Sequence, residues 1–332
     1  MTHQFKALMV REANGIFNAK VEQIFMAEIP ENEVLIKVAY SSVNYKDALS
    51  ASGNKGVTRK FPHIPGIDAA GQVVSSTSDA IAEGDNVIVT GYDLGMNTWG
   101  GFGEYVSVPA NWVVKLPEGL SFFEAMCLGT AGLTAGLSVY NLIHSGIGKE
   151  QGKIVVSGAT GGVGSISIAI LSKLGYEVVA ISGKEEDHFI TQILGASSII
   201  SRKEFIDAYD QKAMSKTDYS GGIDTVGGSI LSGMLKSLKY NGAVTICGNV
   251  ASTEISTSIF PFILRGIKLI GIDSVEQSID FKSEIWNLLA QEWTPTHLKE
   301  IVQEISIEQL PDVLTTILEG NARGRFVVNH SL

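Results

Sequence analysis

Hydrophobic and polar positions change rhythm twice along the chain. Up to about residue 123 the apolar residues come in short β-type runs, EVLIKVAY, AAGQVV, DNVIVT, EYVSV and WVVKLP, punctuated by Pro62, Pro65, Pro109 and Pro117. Few stretches there carry the 3.6-residue period of a long helix, so a compact β-rich domain is predicted. From about 124 to 272 strand and helix alternate, as KIVVSG, GVGSISIAILSKLG, YEVVAIS, EDHFITQILG, SSIIS, GIDTVG, SILSGMLKSL, GAVTICG and KLIGID. Near-continuous apolar strands with helical crossovers predict a parallel sheet covered on both faces. Two helical stretches follow around SEIWNLLAQEW and EQLPDVLTTILEG, and the chain ends on GRFVV, a strand able to return to the first domain. The expectation is an α/β protein in which a doubly wound domain, 124–272, is inserted into a β-rich domain made of 1–123 and 273–332.

Composition narrows the function classes. A chain of 332 residues with 45% hydrophobic and 18% charged content folds and has room for two cores. A net charge of −10 disfavours sequence-independent attraction to nucleic acid or to an anionic membrane. MTHQFKALMV lacks the features of a signal peptide, and no apolar run is read as reaching about 18 residues, so no membrane span is expected. Cys127 and Cys247 sit apart in apolar stretches, which makes a reduced, cytoplasmic setting the default.

The strongest site signal is SGATGGVGS at 157–165, between the strand KIVVS and a helix. Laid on Ala159, Gly161 and Gly164, the dinucleotide fingerprint G-x-G-x-x-G has alanine in its first place, with Gly158 one residue earlier. Glycines suit this turn because the backbone must bend tightly and approach a pyrophosphate without a Cβ. The helix amino terminus then offers free N–H groups and the positive end of its dipole.

In NAD-binding versions an acidic residue closes the second strand and holds the ribose 2′-OH. Here YEVVAI ends in Ser182-Gly183-Lys184, and Arg202 follows the third strand. A hydroxyl, an ammonium and a guanidinium suit a 2′-phosphate, which favours NADP(H) over NAD(H). Solvated surface cations are the competing account of Lys184 and Arg202. The six histidines are scattered without metal-ligand spacing, no zinc site is expected, and no G-x-S-x-G elbow is present.

SSVNYKDAL, FPHIPGIDAAGQV, WGGFGEYV, GTAGLTA, SGATGGVGS, IDTVGG and PFILRGIKLIGIDSV occur in this order from about residue 5 to 328. Together they resemble the medium-chain dehydrogenase/reductase superfamily, in particular its zinc-free quinone oxidoreductase branch of the YhdH/YhfP type, which includes acryloyl-CoA reductase. The resemblance implies a GroES-like catalytic domain, a Rossmann domain, a cofactor cleft between them and, often, a homodimer joined through the Rossmann sheets. It also implies that zinc-dependent members place a cysteine near Asn44 and a His-Glu pair where Ile67-Asp68 stand here. Carried onto matching positions, the family's cofactor contacts are Tyr45, Thr160, Gly161, Gly162, Val163, Ser182, Gly183, Lys184 and Arg202, with Asn249, Ile263 and Ser274 near the nicotinamide.

The implied reaction is hydride transfer from NADPH to a conjugated C=C or a quinone, with negative charge developing on the acceptor's carbonyl oxygen. Tyr45 is a phenol able to donate to that oxygen, or a ring packed on the cofactor. Asn44 offers an amide donor and Asp68 a group to orient it, unless both are turn caps. Lys46 and Asp47 read as solvated or helix first-turn charges. Lys55, Arg59 and Lys60 form a basic cluster suited to the phosphates of a CoA thioester, or a solvated loop. An alcohol dehydrogenase and a non-catalytic NADPH-binding structural or sensor protein are the alternatives.

Overall fold

The computed structural model describes residues 3–183 and 187–332. The chain divides into two compact units. One comprises Met1–Thr130, Val275–Ala290 and Val302–Leu332, and the other Ala131–Ser274 and Gln291–Ile301.

The first unit opens with a hairpin that the sequence reading missed: β1 (Gln4–Ala13) pairs antiparallel with β2 (Ile16–Phe25). Its turn residues, Asn14 and Gly15, both have positive φ, 53° and 77°, the pair that a tight twisted turn selects. β3 (Val34–Val43) runs directly into α1 (Tyr45–Ala51), and β4 (Asp68–Ser76), β5 (Asn86–Thr90), β6 (Tyr105–Val108) and β7 (Val113–Lys115) follow as the apolar runs predict. α2 (Phe122–His144) comes next. It is long and apolar enough to cross a membrane, contrary to the expectation that no run reaches that length. However, 78% of its most apolar window is buried and Gly129 breaks it, which are the marks of a core helix.

The second unit contains β8 (Lys153–Val156), α3 (Gly162–Lys173), β9 (Val178–Ser182), β10 (Ser198–Ser201), α4 (Arg202–Tyr209), β11 (Tyr219–Asp224), α5 (Gly228–Ser237), β12 (Leu238–Ile246), α6 (Phe260–Arg265) and β13 (Lys268–Gly271). All neighbouring strands are parallel, in the order β10-β9-β8-β11-β12-β13. The order reverses between β8 and β11, where α/β sheets leave a crevice at the strands' carboxyl ends. Val155, Val179, Leu231, Met234, Leu235 and Val244 fill one face of this sheet. The helix predicted over EDHFITQILG is reduced, among the described residues, to one wide turn, Phe189–Ile193, which Gly195 (φ 81°) follows.

The chain then returns to the first unit with α7 (Ile279–Ala290), β14 (Val302–Ile305), α8 (Leu310–Leu318) and β15 (Arg325–Asn329). That sheet has the order β14-β15-β3-β4-β5-β7, with β6 also on β3. GRFVV therefore closes on β3, antiparallel, with Phe326 opposite Val43. One step beyond that pair, Arg325 is brought beside Asn44.

Gly129 has φ 52° and ψ −155°, a conformation that L side chains avoid. A Cβ there would press on Ser42 Oγ and lie 2.6 Å from Asp68 Oδ2. Gly129→Ala is expected to cost about 2–4 kcal/mol of unfolding free energy in urea titration. A loss below about 1 kcal/mol would show that the position tolerates a side chain.

Candidate active site

In the second unit, Gly158 leaves β8 at φ 60°, and Gly161 N–H donates to Gly158 O at 2.9 Å, which closes the turn. Gly161 then caps α3. A Cβ on Gly164 would sit 2.7 Å from Gly158 C, and one on Gly158 would run into Thr225 Oγ1. Helix and turn thus touch backbone to backbone. Gly158, rather than Ala159, makes the tight bend that the first fingerprint glycine serves. Thr160, Gly161, Gly162 and Val163 lie on the turn and first helical residues, all partly or fully accessible. The free N–H groups of that first turn form an anion cradle.

The turn is braced from β11 by a residue to which the sequence reading gave no role. Asp224 is fully buried, and burial raises its pKa. Its Oδ1 accepts from Ser157 Oγ at 2.8 Å, while Oδ2 accepts from the N–H groups of Val226 (3.2 Å) and Gly227 (2.7 Å). Ser157 Oγ in turn accepts from Thr225 N–H at 2.9 Å. The two strands flanking the switch point are thereby tied together. The sequence shows this aspartate only inside an apolar strand, where nothing signals its partner.

A cavity of about 590 Å³ opens at the carboxyl ends of β12 and β13, lined by Cys247, Gly248, Asn249, Ile272 and Asp273 among others. Burial pushes the Cys247 thiol up to about 12, which removes it as a nucleophile at neutral pH. Asn249 is exposed, and Ser274 is buried and accepts from Thr134 Oγ1 at 2.8 Å. Ile263 projects from α6 with 65% of its surface exposed. Ser182 is buried at the end of β9. A Cβ on exposed Gly183 would lie 3.9 Å from the guanidinium carbon of Arg202, so these two expected 2′-phosphate contacts adjoin. Lys184 lies outside the described residues.

The first unit holds the other expected residues. Asn44 caps α1, and its side chain is engaged on three sides. Asn44 Nδ2 donates to Asp68 Oδ2 at 2.8 Å and to Ser42 Oγ at 3.4 Å, and its Oδ1 accepts from Arg325 at 3.1 Å. Asp68 is fully buried. Its Oδ2 also accepts from Ser42 Oγ and from Thr130 N–H (2.8 Å), and its Oδ1 from Thr130 Oγ1 (2.5 Å). Asp68 therefore orients Asn44 and is itself saturated. Arg325, 4% exposed, also donates to the carbonyls of Val43 (3.2 Å), Cys127 (3.4 Å) and Leu128 (3.4 Å). Tyr45, by contrast, is 56% exposed at the start of α1.

Asp47 is not the solvated charge its neighbours suggest. It is fully buried, with Oδ2 accepting from Asn44 N–H (2.7 Å) and Oδ1 from Ile67 N–H (2.8 Å). Burial first, and the nearby Asp68 carboxylate second, raise its pKa to about 7 against the pull of those donors. Arg325 was missed because a lone arginine before a C-terminal strand carries no signal of where the sheet takes it. Of the basic cluster, Lys55 is paired with Glu12 at 3.0 Å and lies over the rings of Phe61 and Phe17.

Family profiles match the chain twice, as "Alcohol dehydrogenase GroES-like domain" over residues 30–118 and as "Zinc-binding dehydrogenase" over 162–291. "Putative quinone oxidoreductase YhfP" of Bacillus subtilis is 43% identical over 329 residues, 99% of each chain. Its crystal structure with NAD bound superposes with a TM-score of 0.95, covering 99% of this chain and 100% of that one. "Probable acrylyl-CoA reductase AcuI" of Escherichia coli is 38% identical over 97% of this chain and 99% of its own length. The yhdH oxidoreductase of Salmonella enterica, crystallised with NADP, has a TM-score of 0.93 at 38% identity, covering 98% of this chain and 99% of that one.

The raised Asp47 value makes stability fall with rising pH. The group binds its proton more tightly folded than unfolded, so its contribution is complete below about pH 4 and lost as pH climbs through about 7. Relative to Asp47→Asn, the wild type should lose stability across that window with a limiting slope of about 1.4 kcal/mol per pH unit. Urea unfolding of both proteins at several pH values measures it, and parallel profiles would remove the raised value.

Proposed function

We propose a reaction from one premise: the chain belongs to the medium-chain dehydrogenase/reductase superfamily, in its zinc-free quinone oxidoreductase branch of the YhdH/YhfP type. It is an oxidoreductase, and its reaction is the NADPH-dependent reduction of a C=C bond conjugated to a carbonyl, with acryloyl-CoA or a quinone as acceptor. The observation that carries this reading is the state of Asn44 and Asp68. The family's metal-ligand positions hold an amide and a carboxylate already spent on each other, on Ser42, on Thr130 and on Arg325. That donor set does not suit zinc. A conjugated acceptor needs only hydrogen bonds at its carbonyl oxygen.

The glycine turn fits the cofactor, since residues 160–163 at the start of α3 stay partly or fully accessible beside a helix amino terminus. NADPH, when bound, supplies the hydride. Gly161 brings bare backbone up to the pyrophosphate, Thr160, Gly162 and Val163 present N–H groups to it, and Ser182, Gly183 and Arg202, with Lys184, take the 2′-phosphate. Asn249, Ile263 and Ser274 border the nicotinamide half. The Tyr45 hydroxyl donates to the acceptor, while Asn44 and Asp68 hold the start of α1 in place. The first unit is the catalytic domain and the second the cofactor domain, with Gln291–Ile301 packed on the second rather than in the expected 273–332 segment of the first. NAD in the YhfP crystal supports a second reading in which NADH also serves.

We further propose a cytoplasmic homodimer acting on a small molecule. Val250, Ile259, Phe260, Ile263 and Leu264 are large and exposed in the segments flanking the edge strand β13, a surface that a second copy would cover. A monomer in sedimentation at micromolar concentration would overturn the dimer.

The decisive assay follows loss of reduced nicotinamide against acryloyl-CoA, simple enones and naphthoquinones, with NADPH and NADH in parallel. Turnover with NADPH preferred is expected. No turnover on any conjugated acceptor would leave the non-catalytic reading, and turnover with NADH preferred would overturn the roles of Ser182 and Arg202. Tyr45→Phe is expected to lower kcat about 100-fold. Unchanged kcat would leave Tyr45 only a packing role.

A further inference from the structure

Lys282, on α7, is completely buried, and no step of the reaction proposed above uses it. Its ammonium donates to two backbone carbonyls, Thr90 O and Val275 O, each at 2.8 Å, and lies 3.4 Å from the centroid of the Tyr92 ring. Tyr92 N–H donates to the same Val275 carbonyl at 3.3 Å, and the Tyr92 hydroxyl donates to Gln277 O at 3.0 Å. The path of the chain is bent to make this grip. Gly91 and Tyr92 both have positive φ, 76° and 52°, and a Cβ on Gly91 would stand 3.1 Å from Val275 Cα and 3.3 Å from Lys282 Nζ. Tyr92 is held in turn by stacking on Trp112, with ring centroids 5.5 Å apart and planes 12° from parallel.

The two carbonyls joined by this ammonium are not arbitrary. Thr90 is the strand partner of Asp68 across β4 and β5. Val275 directly follows Ser274. A buried ammonium must shed its water, and an apolar side chain of equal length would fill the space without that cost. What only the ammonium provides is a tie between two backbone oxygens, reinforced by the aromatic face beneath it.

We propose that Lys282 is a positioning residue for hydride transfer: it fixes Val275 to the strand that pairs with Asp68, and so sets where Ser274 meets the nicotinamide half of the cofactor. The inference rests on the NADPH-dependent reading above. Loss of the tie should loosen the nicotinamide end of the site and leave the adenosine end untouched.

The test measures the binding of NADPH and of 2′,5′-ADP, which carries only the adenosine half, together with kcat, for wild type and Lys282→Met. Expected are a fall in kcat of about 10- to 100-fold, weaker NADPH binding, and 2′,5′-ADP affinity within about twofold of wild type. A folded Lys282→Met with wild-type kcat overturns the proposal, as does a parallel loss of both ligands, which marks a general structural role. If Lys282→Met does not fold, Tyr92→Leu, which keeps the ammonium and both carbonyls, decides. It should lower kcat at least about threefold with 2′,5′-ADP binding unchanged, and wild-type kcat in it overturns the proposal. A wild-type protein that binds 2′,5′-ADP but shows no NADPH turnover overturns the functional reading instead, and the Lys282 role with it.

Discussion

The first unit is organised around one buried carboxylate. Taking a carboxylate out of water costs several kcal/mol unless its oxygens are bonded. Asp68 meets that requirement with Ser42 and Asn44 from the end of β3, and with the N–H and hydroxyl of Thr130 from α2. Each of these donors constrains its own segment. The chain must turn from β3 into α1 at Asn44, and α2 must break at Gly129 so that Thr130 reaches the carboxylate with no Cβ in the way. The last strand must return to β3 in the register that delivers Arg325, whose guanidinium joins Asn44 to the carbonyls of Val43, Cys127 and Leu128. Four segments remote in sequence are thus committed by a single charge.

The second unit is built on a different constraint, the shape of bare backbone. No buried charge pair sets the turn at Gly158–Gly161; the close approach of Gly164 to Gly158 does, and Asp224 then holds the flanking strand end to Ser157. Both units show the same economy at the point of function. Side chains closest to the proposed chemistry are already bonded to protein, so little reorganisation is left to do when charge develops. Tyr45 is the exception, exposed and at the first residue of a helix.

How far the sequence could be read follows from the range of each signal. Strands such as EVLIKVAY and KIVVSG announce themselves through local periodicity, and the glycine turn through fixed local spacing. The Asn14-Gly15 hairpin was equally local, but β1 is buried without alternation over much of its length and β2 alternates mostly between exposed and half-buried positions, so neither strand stands out. Arg325 and Lys282 were not legible for a physical reason. Each takes its role from partners nearly two hundred positions away or more, Cys127 and Val43 for one and Thr90 for the other. Asp47 does stand in a helix first turn, one of the two places expected for it, but its burial was not legible, for a related reason. A carboxylate in the first turn of a helix is favourable in water, and only the fold, which brings the Ile67 N–H onto it and encloses it, reveals that it is buried.

The matched profile named for zinc points one way, and the donors point the other. A metal polarises a carbonyl because it brings a concentrated positive charge with open coordination. In this chain the corresponding positive charge is the Arg325 guanidinium, which cannot be deprotonated in the working pH range and is enclosed by backbone carbonyls and Asn44. It stabilises the Asn44 cap of the helix that begins at Tyr45 and has no open site to offer a substrate oxygen. Polarisation must then come from a weaker agent, a phenol or a backbone N–H, and a weaker agent suffices only where the substrate itself spreads the incoming charge. An α,β-unsaturated thioester or a quinone does so through conjugation, whereas a simple ketone does not. The saturation of Asp68 and Asn44 thus bears on substrate class as well as on stability: a site whose charges are spent on one another selects acceptors that carry their own electron sink.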